Sequence, residues 1–239
     1  MRSKVTVIWR FLATLAVFFG VGGWLGGGSA LAGSFHQAAF QGRLEMVKKQ
    51  IASKKNEINE SDGYGSTPLH HAAMGGQMEM TTWLIKNGAV VDSHNSGGAT
   101  SLLLAVRSGK MEVAKALVEA GADVHVVDNL GGGVLAGAAY YGDSDLVEML
   151  LNHGAKVNSS SQLGLTPLHM ATLANAKTVM KILLERGADA NARDSLGETP
   201  LNKVKDEEAR QLLMSNGARM EKNRDDVLVE QANPEGMEK

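Results

Sequence analysis

The chain has no cysteine among its 239 residues. That excludes disulfides, cysteine-ligated zinc, iron–sulfur clusters and a thiol nucleophile together. Aromatic residues make up only 5%, and there are four prolines. Neither sign of charge dominates: 24 Lys and Arg stand against 26 Asp and Glu, a formal net charge of −2. No basic run occurs, so the electrostatic footprint of a nucleic-acid binder is missing. There is no G-x-S-x-G, no H-E-x-x-H, and no Lys following the Gly131-Gly132-Gly133 run. The usual marks of a serine hydrolase, a zinc peptidase and a phosphate-binding loop are therefore lacking. Glycine, by contrast, is abundant, with 28 residues.

The first 32 residues read as an address. Arg2, Lys4 and Arg10 open it, Phe11 to Val21 is apolar, and Ala30-Leu31-Ala32 closes it after a Gly-rich stretch. That is the charged, apolar and small-residue order of a secretory signal peptide, with Ala30 and Ala32 as the cleavage motif. An apolar run of about 15 residues is short for a membrane span, which needs about 20. Cleavage predicts a chain starting at Gly33, with 21 basic and 26 acidic residues and a net charge of −5. Such a chain folds in an oxidising compartment without needing disulfides. An uncleaved leader would instead tether the domain to a membrane.

Past the leader the chain repeats every 33 residues. Thr67, Thr100, Gly133, Thr166 and Thr199 keep that step, as do Gly88-Ala89, Gly121-Ala122, Gly154-Ala155 and Gly187-Ala188. Gly217-Ala218 follows three residues early, so the last unit is short. A fixed period of this size marks a solenoid. Thr caps a helix and Pro suits its first turn. A second helix follows, such as Glu112 to Ala120, with Val113, Leu117 and Val118 on one face. Gly121 then ends it as a left-handed cap. Asp62-x-x-Gly65, Asn95-x-x-Gly98, Asp128-x-x-Gly131, Ser161-x-x-Gly164 and Asp194-x-x-Gly197 predict a tight turn between units.

Thr67-Pro68-Leu69-His70 and Thr166-Pro167-Leu168-His169 are complete T-P-L-H motifs, and Thr199-Pro200-Leu201-Asn202 keeps three of the four. On these motifs and their period the chain resembles the ankyrin repeat family over about residues 35–219. The resemblance implies an all-α solenoid of stacked helix-turn-helix units with hairpin-like loops. It assigns 33–61 to a degenerate N-terminal cap and 62–94, 95–127, 128–160 and 161–193 to full repeats. It assigns 194–219 to a shortened C-terminal cap, leaving a charged, flexible tail at 220–239. His70 and His169 are expected to brace the turn by hydrogen bonds. At least about three such units are needed to share a core.

The third unit departs from the pattern. Gly131-Gly132-Gly133-Val134 replaces the capped turn, and Gly137 lies inside the first helix. A helix-interior Gly costs about 1 kcal/mol against Ala. Either the unit has drifted, or the glycines allow close backbone approach or a soft joint. Restoring Asn-Thr-Pro at 132–134 is expected to raise the melting temperature.

No metal site is expected: His70 and His71 are adjacent, not four apart on one helix face. No cofactor, small-molecule substrate or catalysis is expected either. The resemblance implies a protein partner met by loop tips and first-helix faces. The tip positions are Tyr64, Ser66, Ala99, Asn129, Leu130, Leu163, Leu165, Leu196 and Glu198. The helix positions are His71, Met74, Leu104, Arg107, Tyr140, Tyr141, Met170 and Leu173. Tyr and Arg dominate binding hot spots, which favours Tyr64, Arg107, Tyr140 and Tyr141. The expectation is a monomeric scaffold in the periplasm or cell envelope. A secreted factor binding another organism's proteins fits the same leader.

Overall fold

The structure is a computed structural model that describes residues 35–53, 57–129 and 131–220. The leader with Ala30 and Ala32, residue Leu130 and the tail from 221 lie outside the described residues.

Among the described residues twelve α-helices follow one another in pairs. They are α1 (Phe35–Phe40) and α2 (Leu44–Ser53), α3 (Pro68–Gly75) and α4 (Met78–Lys86), then α5 (Ser101–Arg107) and α6 (Met111–Glu119). Next come α7 (Val134–Tyr141) and α8 (Ser144–Asn152), α9 (Pro167–Leu173) and α10 (Lys177–Glu185), α11 (Pro200–Lys203) and α12 (Glu207–Ser215). Each first helix packs on the first helix of the next pair, and each second helix backs its own partner.

The sequence explains where the first helices begin. Thr67, Thr100, Thr166 and Thr199 all hold extended backbone just ahead of their helices. The Thr100 hydroxyl accepts from the Leu103 amide, and Thr166 does the same from His169. Each such contact ties down one of the amides a helix start leaves unpaired. Proline follows at three of the four, where its missing N–H costs nothing.

The core is one continuous layer between the two helix rows. Leu69, Leu102, Leu135 and Leu168 hold the same place in successive units and are all buried. Ala72, Ala105, Ala138 and Ala171 follow them and let neighbouring helices approach closely. The second helices contribute Met80, Leu84, Leu117, Leu146, Leu150, Met180 and Leu183. Gly121 ends α6 with φ +87, in the left-handed region that glycine enters without strain. Between units the chain makes a tight turn: the Gly65 amide donates to Asp62 O at 2.9 Å and the Asp62 amide to Ser66 O at 3.0 Å. Among the described residues no helix is long and apolar enough to cross a membrane.

Candidate functional site

The turns between units project side by side and are tied to one another by main-chain hydrogen bonds. The Ser96 amide donates to Tyr64 O at 2.9 Å, Asn129 to Gly97 O at 3.2 Å and Ser195 to Leu163 O at 2.9 Å. The Gln162 side-chain amide donates to Asn129 O at 2.9 Å. The tips thus form a registered row, not a set of independent loops. Along the row the first, fourth and fifth turns present Tyr64, Leu163 and Leu196, with Gly97 at the matching place in the second. Tyr64 is 60% exposed, Leu196 49% and Leu163 40%. An array of exposed apolar side chains on a braced backbone suits binding another protein.

Beneath the tips lie buried carboxylates. Asp62 Oδ1 accepts from the Tyr64 and Ser66 amides at 2.8 and 2.9 Å, so the turn wraps the carboxylate. Its other oxygen accepts from His71 Nε2 at 2.8 Å. Burial works to raise the Asp62 carboxyl, but the His71 and main-chain hydrogen bonds outweigh it and hold it below the usual range. Burial also pushes the His71 ring down, against the pull of Asp62. Both directions fit a neutral imidazole donating to a carboxylate. The last unit repeats the design with a lysine. Lys203 Nζ lies 2.7 Å from Asp194 and 2.6 Å from Glu198, while Asp194 accepts from the Leu196 and Glu198 amides.

The histidines of the two complete motifs brace neighbouring units. The Thr67 amide donates to His70 Nδ1 at 3.0 Å. The hydrogen of a neutral ring is then on Nε2, which donates to Ala99 O of the next turn at 3.1 Å. His169 makes the same pair of bonds, from the Thr166 amide and to Glu198 O. Burial pushes both rings down, so they stay neutral. Asn202 stands in for the ring in the last unit, with its Oδ1 accepting from the Thr199 amide at 2.8 Å.

The structure corrects several expectations about exposure. His71 is only 2% exposed and is spent on Asp62, so it presents no side chain to a partner. Ser66, Ala99, Leu165 and Met170 are buried as well. Met74 is half-buried, and Leu104, Tyr140 and Leu173 are half-buried against the core. Arg107 is turned inward to pair with buried Asp128. The Tyr141 hydroxyl donates to Arg107 O at 2.8 Å, although the side chain stays 40% exposed. The inward turn has a steric cause: the position on α7 that would carry a cation for Asp128, matching His71 and Lys203, is Gly137. A methyl placed there would lie 2.5 Å from Val106 Cγ1. Gly137 is therefore required by close helix packing, which corrects the expectation that it is a plain loss of helix stability. Gly132 is closed in turn, since a Cβ there would lie 3.0 Å from the Arg107 guanidinium. A nine-residue step from the turn Asp to His71, Gly137 or Lys203 is visible in the aligned units and could have revealed this network.

Comparison with known proteins agrees with the geometry. The family described as ankyrin repeats (3 copies) matches residues 35–128 and again 135–226, and the chain belongs to that family. A palmitoyltransferase, akr1, of Schizosaccharomyces pombe is 41% identical over 61 residues, which is 26% of this chain and 10% of that protein. An ankyrin repeat protein of Rickettsia bellii is 39% identical over 61 residues, 23% of this chain and 36% of that protein. The chain thus spans well under two thirds of either relative. An ankyrin repeat domain from Acinetobacter baumannii AYE superposes with a TM-score of 0.68 at 30% identity, covering 77% of this chain and 98% of that one. A chain in the complex of the Bdellovibrio bacteriovorus predatory endopeptidase Bd0816 with the immunity protein Bd3460 also gives a TM-score of 0.68. It is 29% identical over 76% of this chain and 96% of that one. Ankyrin repeats indicate a protein–protein interaction module and are generally non-catalytic. The palmitoyltransferase match falls within a stretch of repeats.

Proposed function

We propose that this chain is an exported scaffold that binds a protein partner in the periplasm or cell envelope along its row of turn tips. The observation that carries the reading is the row itself: Tyr64, Leu163 and Leu196 are exposed, in register and set on turns tied to one another by main-chain hydrogen bonds and the Gln162 side chain. Tyr64 is the strongest single contributor, because a large rigid aromatic loses little entropy on binding. The order of residues 1–32, ending in Ala30-Leu31-Ala32, supports export. One chain of an enzyme–immunity protein complex shares this fold over nearly its whole length, which supports a role in holding another protein in check.

The test is capture from an envelope extract by the full chain and by a Tyr64→Ser/Leu163→Ser/Leu196→Ser variant. All three side chains are exposed, so the fold is retained. Loss of about 2 kcal/mol, roughly thirtyfold in affinity, is expected. Equal capture by both proteins would move the site off the tips. Intact mass of the protein from its native cell decides the leader: a chain beginning at Gly33 is expected, and a retained leader would make it membrane-tethered.

A further inference from the structure

We propose that the junction between the second and third units is a latch. The Arg107–Asp128 pair, with the Tyr141 hydroxyl on the Arg107 carbonyl, joins two blocks, the units up to residue 127 and those from residue 128 on, that otherwise unfold separately. This inference does not depend on what the tips bind.

Two polar contacts recur along the solenoid. The first is the histidine brace from a first helix to the next turn, made by His70 and His169. The second lies on the far side, after the second helices, at positions 59, 92, 125, 158 and 191. Asn59 donates to Gly88 O at 3.0 Å and accepts from the Val90 amide at 2.9 Å. Asn158 does the same with Gly187 and Asp189, and Asn191 with Gly217 and Arg219. Asp92 accepts from the Asp123 amide at 3.0 Å. The junction between the second and third units has neither contact. Leu103 stands at the brace position and His125 at the clasp position. Leu103 has no polar atom to offer, and among the described residues the His125 side chain makes no such clasp. The third-to-fourth junction also lacks the brace, with Ala136 there, but keeps Asn158.

Asn129 ties the two tips, its amide donating to Gly97 O at 3.2 Å and its side chain to Ser96 O at 3.3 Å, and what else crosses this junction is different in kind. Arg107 reaches from the end of α5 over Gly132 to Asp128 in the next turn, where the carboxylate is buried and the arginine side chain 13% exposed. Tyr141 reaches back from the end of α7 to Arg107 O at 2.8 Å. Lys115 reaches Asp143 at 3.3 Å. The Arg107 Nε is buried with no hydrogen-bond partner, so the guanidinium is incompletely satisfied. A stack of units unfolds as one only while each interface couples its neighbours strongly enough. At this interface the Arg107–Asp128 pair stands where other junctions have the brace or the clasp, beside the tip hydrogen bonds of Asn129 and the Lys115–Asp143 pair. Removing either charge strands the other in the interior.

The test is a urea titration of the full chain with pulsed hydrogen exchange read peptide by peptide. The wild type is expected to show one midpoint in all helices. Arg107→Leu should give two, changing between residues 127 and 128 and separated by about 0.5 M or more. Asp128→Asn keeps the shape and removes the charge, and should split the transition in the same way if the arginine variant folds poorly. Leu103→His/His125→Asn rebuilds both missing contacts, toward Gly132 O and toward Gly154 and Lys156, and should merge the two midpoints in the Arg107→Leu background. His70→Leu, at the first-to-second junction, should lower one common midpoint without splitting it. A common midpoint in both charge variants would overturn the latch. So would failure of the rebuilt contacts to merge the midpoints, or a split in His70→Leu.

Discussion

The outer units and the middle one carry the same buried turn carboxylate and neutralise it differently. In the first and last units the partner is nine residues on, on the first helix of the same unit: His71 for Asp62 and Lys203 for Asp194. In the third unit that place is Gly137, and the charge for Asp128 comes from Arg107 of the unit before. The other two units carry no charge there, with Asn95 matched to Leu104 and Ser161 to Met170. The difference teaches that the unit is not the smallest independent piece of this fold. Val106 on α5 fills the space a side chain at 137 would need, so the third unit borrows its cation across the junction. The outer turns are self-sufficient, and the middle turn is complete only when its neighbour is folded.

The sharpest way to break that comparison is to remove a cation from a self-sufficient turn. Lys203→Met leaves Asp194 buried with only its main-chain donors, and should cost about 3–5 kcal/mol in urea unfolding. Lys203→Met/Asp194→Asn converts the turn to the neutral pattern of Asn95 and Leu104, and should recover most of that loss. A double variant as unstable as the single one would show that the lysine acts through packing and not through charge.

Acid sharpens the comparison next, because neutral histidines contact the first, second and last turns (His71 on Asp62, His70 on Ala99 O, His169 on Glu198 O), while Arg107 serves the middle one. Burial holds the His70, His71 and His169 rings below their ordinary value of 6.5 in the folded chain. The unfolded chain then binds more protons than the folded one as pH drops past about 6.5, so stability falls from there downward. The ceiling on the slope is about 1.4 kcal/mol per pH unit for each ring. Asp62, held below its ordinary 3.8, adds a further loss as pH falls through that value. Hydrogen exchange at pH 8 and pH 5.5 should show the gain in exposure around α3 and α9 exceeding that around α7. A uniform loss would mean the rings are not the acid-sensitive groups.

The third contrast concerns a glycine that looks like a defect. Gly137→Ala would add helix propensity, but the new methyl meets Val106 Cγ1 at 2.5 Å. Overpacking of this kind typically costs 1–3 kcal/mol, so the melting temperature should fall, and Val106→Ala in the same chain should restore it. A stable single variant would show that α5 and α7 can separate at no cost.

Much of the architecture was legible in the sequence. The 33-residue period, the Thr-Pro starts and the Gly stops act through local backbone preference, which the residue alone carries. The braces by His70 and His169 were legible through the motif. The exposure of individual positions was not. His71, Met170 and Arg107 lie where a helix face meets either a turn or solvent, and which it meets depends on the side chain one unit away. Arg107 looked like a binding hot spot because an isolated arginine on an amphipathic helix defaults to solvent. Its inward turn depends on Gly137 and Gly132 being small and Asp128 being buried, which no single unit displays.

Restoring the capped turn of the third unit is the smallest effect and separates two glycines that look alike. Gly133 precedes α7 with φ −100 and ψ 161, close to the −91 and 170 of Thr100 before α5. A Cβ there would make ordinary contact with Val127 Cγ1 at 3.6 Å. Gly133→Thr should therefore supply the missing hydroxyl cap and raise stability by a few tenths of a kcal/mol. Gly132→Asn should lower it, because its Cβ enters the space of the Arg107 guanidinium. Made together with Val134→Pro, the two substitutions would partly cancel, so the combined change need not raise the melting temperature. Measured singly, opposite signs at 132 and 133 would show that one glycine is a vacant cap and the other is the passage for the arginine. A gain at both would mean that Arg107 can leave Asp128 without cost.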